Sequence, residues 1–159
     1  MNKFEKITRE QCKKDGVAYK AVKLPARATK FSAGYDFYST TGFELVPGES
    51  IKIPTGVRVL LDDDKFLMMV PRSGLGFKYR LQLDNTVGII DADYSNSDNE
   101  GHIWIKVTND GRTALRINQG DAIAQGIILT YNLTEDDNAN GVRNGGFGST
   151  DVQQENNQE

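Results

Sequence analysis

The stretch IKIPTGVRV at residues 51–59 decides the fold class. Ile51 and Ile53 flank Lys52, then Pro54-Thr55-Gly56 intervenes, then Val57 and Val59 flank Arg58. A period of two in β-branched residues is the pattern of strands with one buried face. The Pro-Thr-Gly step is a turn signal between them. The same alternation returns at Val17-Tyr19-Ala21, from His102 to Val107, and at Leu115–Ile117. Phe66 to Val70 is apolar throughout, as expected of a strand buried on both faces or of a subunit contact, and Ala122 to Leu129 is interrupted only by Gln125. Pro47-Gly48, Asp62-Asp63-Asp64, Asn109-Asp110-Gly111 and Asn118-Gln119-Gly120 punctuate these runs. Many short strands without a long helical period indicate an all-β barrel or sandwich.

Around this core the chain divides simply. Phe4, Ile7 and Gln11 fall at roughly helical spacing and the segment 1–16 ends at Gly16, the pattern of a short helix. Residues 17–132 carry the strands, 133–150 read as a C-terminal arm, and 151–159, with Val152 as the only apolar residue, read as a disordered tail. The length of 159 residues fits one domain with a real core. A net charge of −3, from 19 basic and 22 acidic side chains, argues against nonspecific nucleic-acid or membrane binding. One cysteine, Cys12, permits no internal disulfide. With no charged-then-apolar leader and no spanning run, a cytoplasmic protein is expected. A single histidine, His102, leaves a structural zinc site or a Ser-His-Asp triad little to work with.

Five segments do not read as ordinary strand or turn. In Ser32-Ala33-Gly34-Tyr35-Asp36 small residues lead into an acid, either a tight turn or a placed carboxylate. Pro71-Arg72-Ser73-Gly74-Leu75-Gly76 offers a guanidinium, a hydroxyl and backbone amides suited to phosphate oxygens, or a plain strand-to-helix or strand-to-loop step. Gly88-Ile89-Ile90 stops at Asp91, with Asp93 and Tyr94 beyond, and then the polar run Ser95–Glu100 reads as a solvated hairpin tip. Gln125 needs hydrogen-bond partners inside its apolar strand. Phe147 stands among glycines after Arg143, as in a segment that folds over a ligand. The Asp62–Asp64 run reads as a solvated turn.

In order, AGYDFYS (33–39), PRSGLGFK (71–78), NTVGIIDADY (85–94), GDAIAQGI (120–127) and RNGGFGST (143–150) resemble the five motifs of the homotrimeric dUTP pyrophosphatases, the dUTPases. The resemblance implies a jelly-roll-like β-barrel, a homotrimer with active sites shared between subunits, and a flexible C-terminal lid. It implies hydrolysis of dUTP to dUMP and pyrophosphate with Mg²⁺ on the triphosphate. By position, Asp91 matches the acid that activates water. Tyr94 matches the ring under the deoxyribose that leaves no room for a 2′-hydroxyl. Asn85 matches the uracil reader, together with hairpin backbone at Gly88 and Ile90. Arg72, Ser73 and Gly74 match the phosphate cradle, with Gln125 a further donor. Asp36 matches the first-motif acid, acting on the metal through water. Arg143 matches the γ-phosphate ligand, Phe147 the lid ring, and Gly148, Ser149 and Thr150 add phosphate contacts. If Asp91 and Tyr94 share a pocket, the strand must bend or bulge between them, since alternation puts them on opposite faces. Asp93 is expected to make a structural hydrogen bond.

Three departures accompany the resemblance. Ser95 to Glu100 enlarges the hairpin where the family runs almost directly from tyrosine to glycine. Ala122 stands where many members have arginine, and Gly126 where they have a bulky apolar residue. Arg143 lies four positions before Phe147, where five is common, and Asp151 replaces a final glycine. Two other readings share the scaffold: a dCTP deaminase-like enzyme, which needs a glutamate where this chain has Asp91, and a regulatory binding protein using the enlarged hairpin.

Overall fold

The computed structural model describes residues 1–143 and 145. Its strands are β1 (Lys3–Lys6), β2 (Ala26–Arg27), β3 (Tyr35–Tyr38), β4 (Phe43–Leu45), β5 (Ser50–Pro54) and β6 (Val57–Leu60). They continue with β7 (Lys65–Pro71), β8 (Leu81–Leu83), β9 (Gly88–Asp91), β10 (Trp104–Asn109), β11 (Leu115–Ile117) and β12 (Ala122–Thr130). Two short helices, α1 (Arg9–Lys14) and α2 (Ser73–Tyr79), complete the fold with 3₁₀ turns at Tyr19–Ala21 and Ala92–Asn96. The architecture is all-β, as expected. Among the described residues no helix is long and apolar enough to cross a membrane.

The largest sheet runs β2-β3-β12-β7-β9, and β5-β10-β8, β1-β6 and β11-β4 close the rest, every pair antiparallel. The two runs of IKIPTGVRV do not pair with each other. β5 pairs with β10 and β6 with β1, so Pro54–Gly56 is a corner that carries the chain from one sheet to another. Ile53, Val57 and Val59 still point into one core with Phe37, Leu67, Ile105 and Ile123, which is what their alternation demands. β7 buries Leu67 and Met69 and leaves Phe66, Met68 and Val70 half-buried, so its second apolar face is incompletely covered within one chain.

The N-terminal segment departs from expectation. A strand, β1, precedes the helix, and α1 is only six residues long. Thr8 caps it, accepting the Gln11 backbone N–H at 3.1 Å, and Cys12 is buried beneath it. Tyr19–Ala21, whose alternation suggested a strand, is a 3₁₀ turn. The unusual Gly126 is explained by its neighbours. A Cβ there would lie 2.8 Å from Leu67 Cδ1 and 2.9 Å from Phe37 Cε2, so those side chains fill the space a bulky residue takes elsewhere.

A candidate active site in two halves

One group of the expected residues gathers where β3, β12 and the end of β7 lie side by side. Gln125 of β12 is opposite Asp36 of β3 on one side and Val70 of β7 on the other. Arg72, just past β7, turns its Nε onto Asp36 Oδ1 at 2.9 Å. Its Nη1 reaches the Ala122 carbonyl at 3.5 Å, the limit of a hydrogen bond. Gln125 Nε2 donates to the Pro71 carbonyl at 3.1 Å, so the polar residue inside the apolar strand is satisfied by the neighbouring strand. Ser73 and Gly74 are exposed and open α2. Their amides belong to a first helical turn, which has no acceptor of its own, rather than to a loose loop. Pro71, Arg72, Ser73, Gly76, Phe77 and Arg80 line an open cavity of about 480 Å³ beside them.

The second group lies along β9, which runs beside β7 from Met69 to the far end of the strand at Phe66. Met69 faces Gly88, Leu67 faces Ile90, and Phe66 faces Asp91. Asn85, Gly88 and Ile90 line a cavity of about 400 Å³ with Met69 and Trp104 among its walls. At its edge Lys106 Nζ meets Asp84 Oδ2 at 2.7 Å, and hydrogen bonds from Lys106 and then Thr108 hold the Asp84 carboxyl below its ordinary range. Lys52 Nζ lies 4.6 Å from the Trp104 ring centroid.

β9 ends at Asp91, and the 3₁₀ turn Ala92–Asn96 swings Tyr94 back beside it. This turn, rather than a bulge, lets alternate residues share one place. Asp91, Tyr94, Ile89, Ile90, Ile103, Trp104 and Arg143 line an adjoining cavity of about 130 Å³. Arg143 reaches back from the arm, with Nη2 2.5 Å from Asp91 Oδ2 and Nε 2.9 Å from Asp93 Oδ1. Its guanidinium carbon sits 6.0 Å from the Tyr94 ring centroid. Asp93 therefore makes an ion pair with the arm. Tyr94 is buried, and burial first of all raises its hydroxyl above the usual range.

The polar run after Tyr94 is not a hairpin tip, since β9 and β10 lie in different sheets, and it is solvated only in part: Asn96 and Asp98 are exposed while its other residues are covered. Ser97 is buried and donates to the Gly145 carbonyl at 3.3 Å. Glu100 accepts from both the Thr8 hydroxyl (2.7 Å) and the Thr8 N–H (2.8 Å). His102, expected within a strand, precedes β10 and is fully buried. Its Nδ1 meets Asp15 Oδ2 at 2.6 Å, and its Nε2 accepts the Gly56 N–H at 2.8 Å. Burial pushes this imidazole below its ordinary range, opposed by Asp15. Asn99, Trp104, Lys52 and the Asp15–His102 pair were not expected near the site. Only the lone tryptophan, at the edge of an alternating run, was a visible signal. Phe147, Gly148, Ser149 and Thr150, with the tail 151–159, lie outside the described residues.

A guanidinium–carboxylate pair beside the open amides of a helix start, with two carboxylates beside an apolar-walled pocket, is an arrangement suited to a small phosphorylated molecule. The dUTPase family model matches residues 20–151. The deoxyuridine 5′-triphosphate nucleotidohydrolase of Lactococcus lactis is 36% identical over 132 residues, covering 81% of this chain and 88% of the relative. The crystal structure of the Streptococcus mutans dUTPase superposes with a TM-score of 0.68 at 32% identity, covering 83% of this chain and 98% of that one. A dUTPase of phage phi11 of S. aureus, whose structure describes coordination of a structural Mg(II) ion, shares the fold at a TM-score of 0.67 and 22% identity, covering 89% and 97%. The chain belongs to the dUTPase family.

Proposed function

We propose that this enzyme hydrolyses dUTP to dUMP and pyrophosphate. The observation that carries the mechanism is that Asp91 and Tyr94 line a small cavity sharing Ile89, Ile90 and Trp104 with the larger cavity lined by Asn85 and Gly88. Water is a weak nucleophile, and a half-exposed carboxylate there is placed to take its proton. The 400 Å³ cavity takes the uracil, whose edge finds Asn85 and the backbone of Gly88 and Ile90. A wrong base leaves those polar groups unpaired, which discriminates more strongly than an apolar pocket. Tyr94 walls the sugar side.

The phosphate residues stand elsewhere. Phe66, opposite Asp91, and Arg72 are six residues apart, so about 20 Å of strand separates Asp91 from Arg72 in one chain. A triphosphate cannot reach from one to the other. The cradle of Asp36, Arg72, Ser73, Gly74 and Gln125 therefore serves the Asp91 of another copy, and the half-covered face of β7 suits such an assembly. A homotrimer with shared sites, as in the family, meets this requirement. Arg143, held on Asp91 and Asp93, moves to the γ-phosphate when the triphosphate arrives, and Phe147, Gly148 and Ser149 cover it.

The donor chemistry fits Mg²⁺ carried by the substrate. Among the described residues no three metal-ligating side chains cluster, but Asp36 places one carboxylate at the cradle. Mg²⁺ keeps several waters and uses few protein carboxylates when phosphates supply the rest. Bound there, the ion neutralises charge on the triphosphate. Arg72 and Gln125 orient the phosphates. The buried free Cys12 suits a reducing compartment.

A panel of deoxy- and ribonucleoside triphosphates with Mg²⁺, read by pyrophosphate release, tests this reading. Hydrolysis confined to dUTP is the expected result. Release of ammonia from dCTP, or no turnover of dUTP, overturns it.

A further inference from the structure

The segment 95–100, which joins β9 to β10 in a different sheet rather than turning a hairpin, holds the Tyr94 ring in place. The Tyr94 hydroxyl donates to the His102 carbonyl at 2.9 Å and accepts from Asn99 Nδ2 at 3.0 Å. Burying a tyrosine hydroxyl needs one partner, and His102 supplies it. The Asn99 amide is a second restraint, contributed by the very segment in which this chain departs from its family. Two bonds in different directions fix the hydroxyl along the ring axis and against lateral swing.

Both partners are themselves anchored. Asn99 Oδ1 accepts the Gly101 N–H at 3.1 Å, and Gly101 turns with φ +73°. A Cβ at Gly101 would lie 2.6 Å from Ser95 Cα, so only glycine closes this loop on itself. The His102 N–H donates to the Asn99 carbonyl at 3.1 Å. The His102 ring is tied at one nitrogen to Asp15, beyond α1, and at the other to Gly56 at the β5–β6 corner. Glu100, between them, is tied to Thr8. The groups that hold the Tyr94 hydroxyl are thus tied to α1, its N-cap and the β5–β6 corner, and the segment is not floating.

A wall that excludes one hydroxyl group by shape works only if it does not yield. We infer that Asn99 is a positioning residue that stiffens the Tyr94 ring and so sharpens selection of deoxyribose over ribose. The inference rests on Tyr94 being the sugar wall.

The test compares kcat/KM for dUTP and UTP in the full-length enzyme and in Asn99→Asp, Tyr94→Phe and the double variant. Asn99→Asp keeps an acceptor for Gly101 and removes the donor to Tyr94. The dUTP/UTP ratio should fall about five- to tenfold, the worth of one neutral hydrogen bond. The fall should come from a gain on UTP, with Tm within about 2 °C of the parent. Tyr94→Phe removes both bonds and should lower the ratio at least as far, and the double variant should go no further than Tyr94→Phe, because the bond from Asn99 is already gone. A ratio unmoved in Asn99→Asp, or additive falls in the double variant, overturns the inference. Should Asn99→Asp not fold, Tyr94→Phe decides alone, and an unmoved ratio overturns it. A parent enzyme that does not separate dUTP from UTP overturns the functional reading and this one together. A parent that separates them while Asn99→Asp changes nothing overturns only this one.

Discussion

At one end of β7, Gln125 stands in register with Asp36 on the neighbouring strand, and Arg72, just past the end of β7, turns onto Asp36. At the other end, Asp91, Tyr94 and Arg143 are held by a 3₁₀ turn, the 95–100 connection between two sheets, α1 and the arm. The first end presents fixed charge at a sheet surface, and the second surrounds small cavities. Phosphates need aligned donors, which regular ladders place well. Telling one base and sugar from another needs walls on several sides, which irregular segments supply at the cost of more supporting contacts.

The sharpest way to break this contrast is to remove the carboxylate proposed to activate water. Asp91→Asn should lower kcat by about 10³-fold, while calorimetry with a non-hydrolysable dUTP analogue still shows binding. A variant that keeps most of its rate removes Asp91 from its role.

Mixing tests the separation itself. Asp91→Asn and Arg72→Ala should each be nearly inactive. Unfolded together at equal amounts and refolded, they should recover roughly a quarter of parental activity, the chance that both contributing chains are intact at a site shared between copies. No recovery would place both halves in one chain.

Arg143→Ala tests the arm's contact with the Asp91 end. It should reduce kcat/KM for dUTP by about tenfold or more, as expected for a charge-assisted contact to phosphate, with Tm nearly unchanged. A large loss of Tm would mean that the ion pairs to Asp91 and Asp93 serve folding instead.

The smallest effect on turnover belongs to the His102 anchor. Its folded pKa lies below the ordinary value of 6.5, so the unfolded chain binds the extra proton more readily. Stability is then full above pH 6.5 and is lost as pH falls from there toward the folded pKa. Asp15, also held low despite its desolvation by hydrogen bonds from Gln11 and His102, adds a further loss in stronger acid. Tm should therefore drop between pH 7.5 and 5.5, and His102→Gln should flatten that drop. An equal slope in both proteins would assign the acid sensitivity elsewhere.

The strands were legible because one-sided burial writes a period of two into the sequence, as in Ile51–Ile53 and Val57–Val59. Their partners were not, because alternation says nothing of which edge a strand meets across the Pro54–Gly56 corner. α2 was masked by two glycines in SGLGFKY and has no fully buried residue to mark a face. The motif residues were legible in kind, and Asp36, Arg72 and Gln125 do converge, as do Asp91 and Tyr94. That the two sets lie apart follows only from the register of β7 with β9. SNSDNE misled because polarity predicts solvation only when partners are absent, and Thr8, Tyr94 and Gly145 supply them from distant parts of the chain.

The bond between Asp15 and His102 joins residues 87 apart. During synthesis at about 5–20 residues per second, the N-terminal segment must wait roughly 4–20 s before its anchor exists. Until then the core that buries Ile7 and Cys12 still lacks Ile103, Ile105 and the strands that follow them. The nascent chain thus carries an N-terminal segment whose pairing with β6 can form well before the anchor that completes it. How much enzyme a cell obtains depends on that interval as well as on the stability of the folded protein.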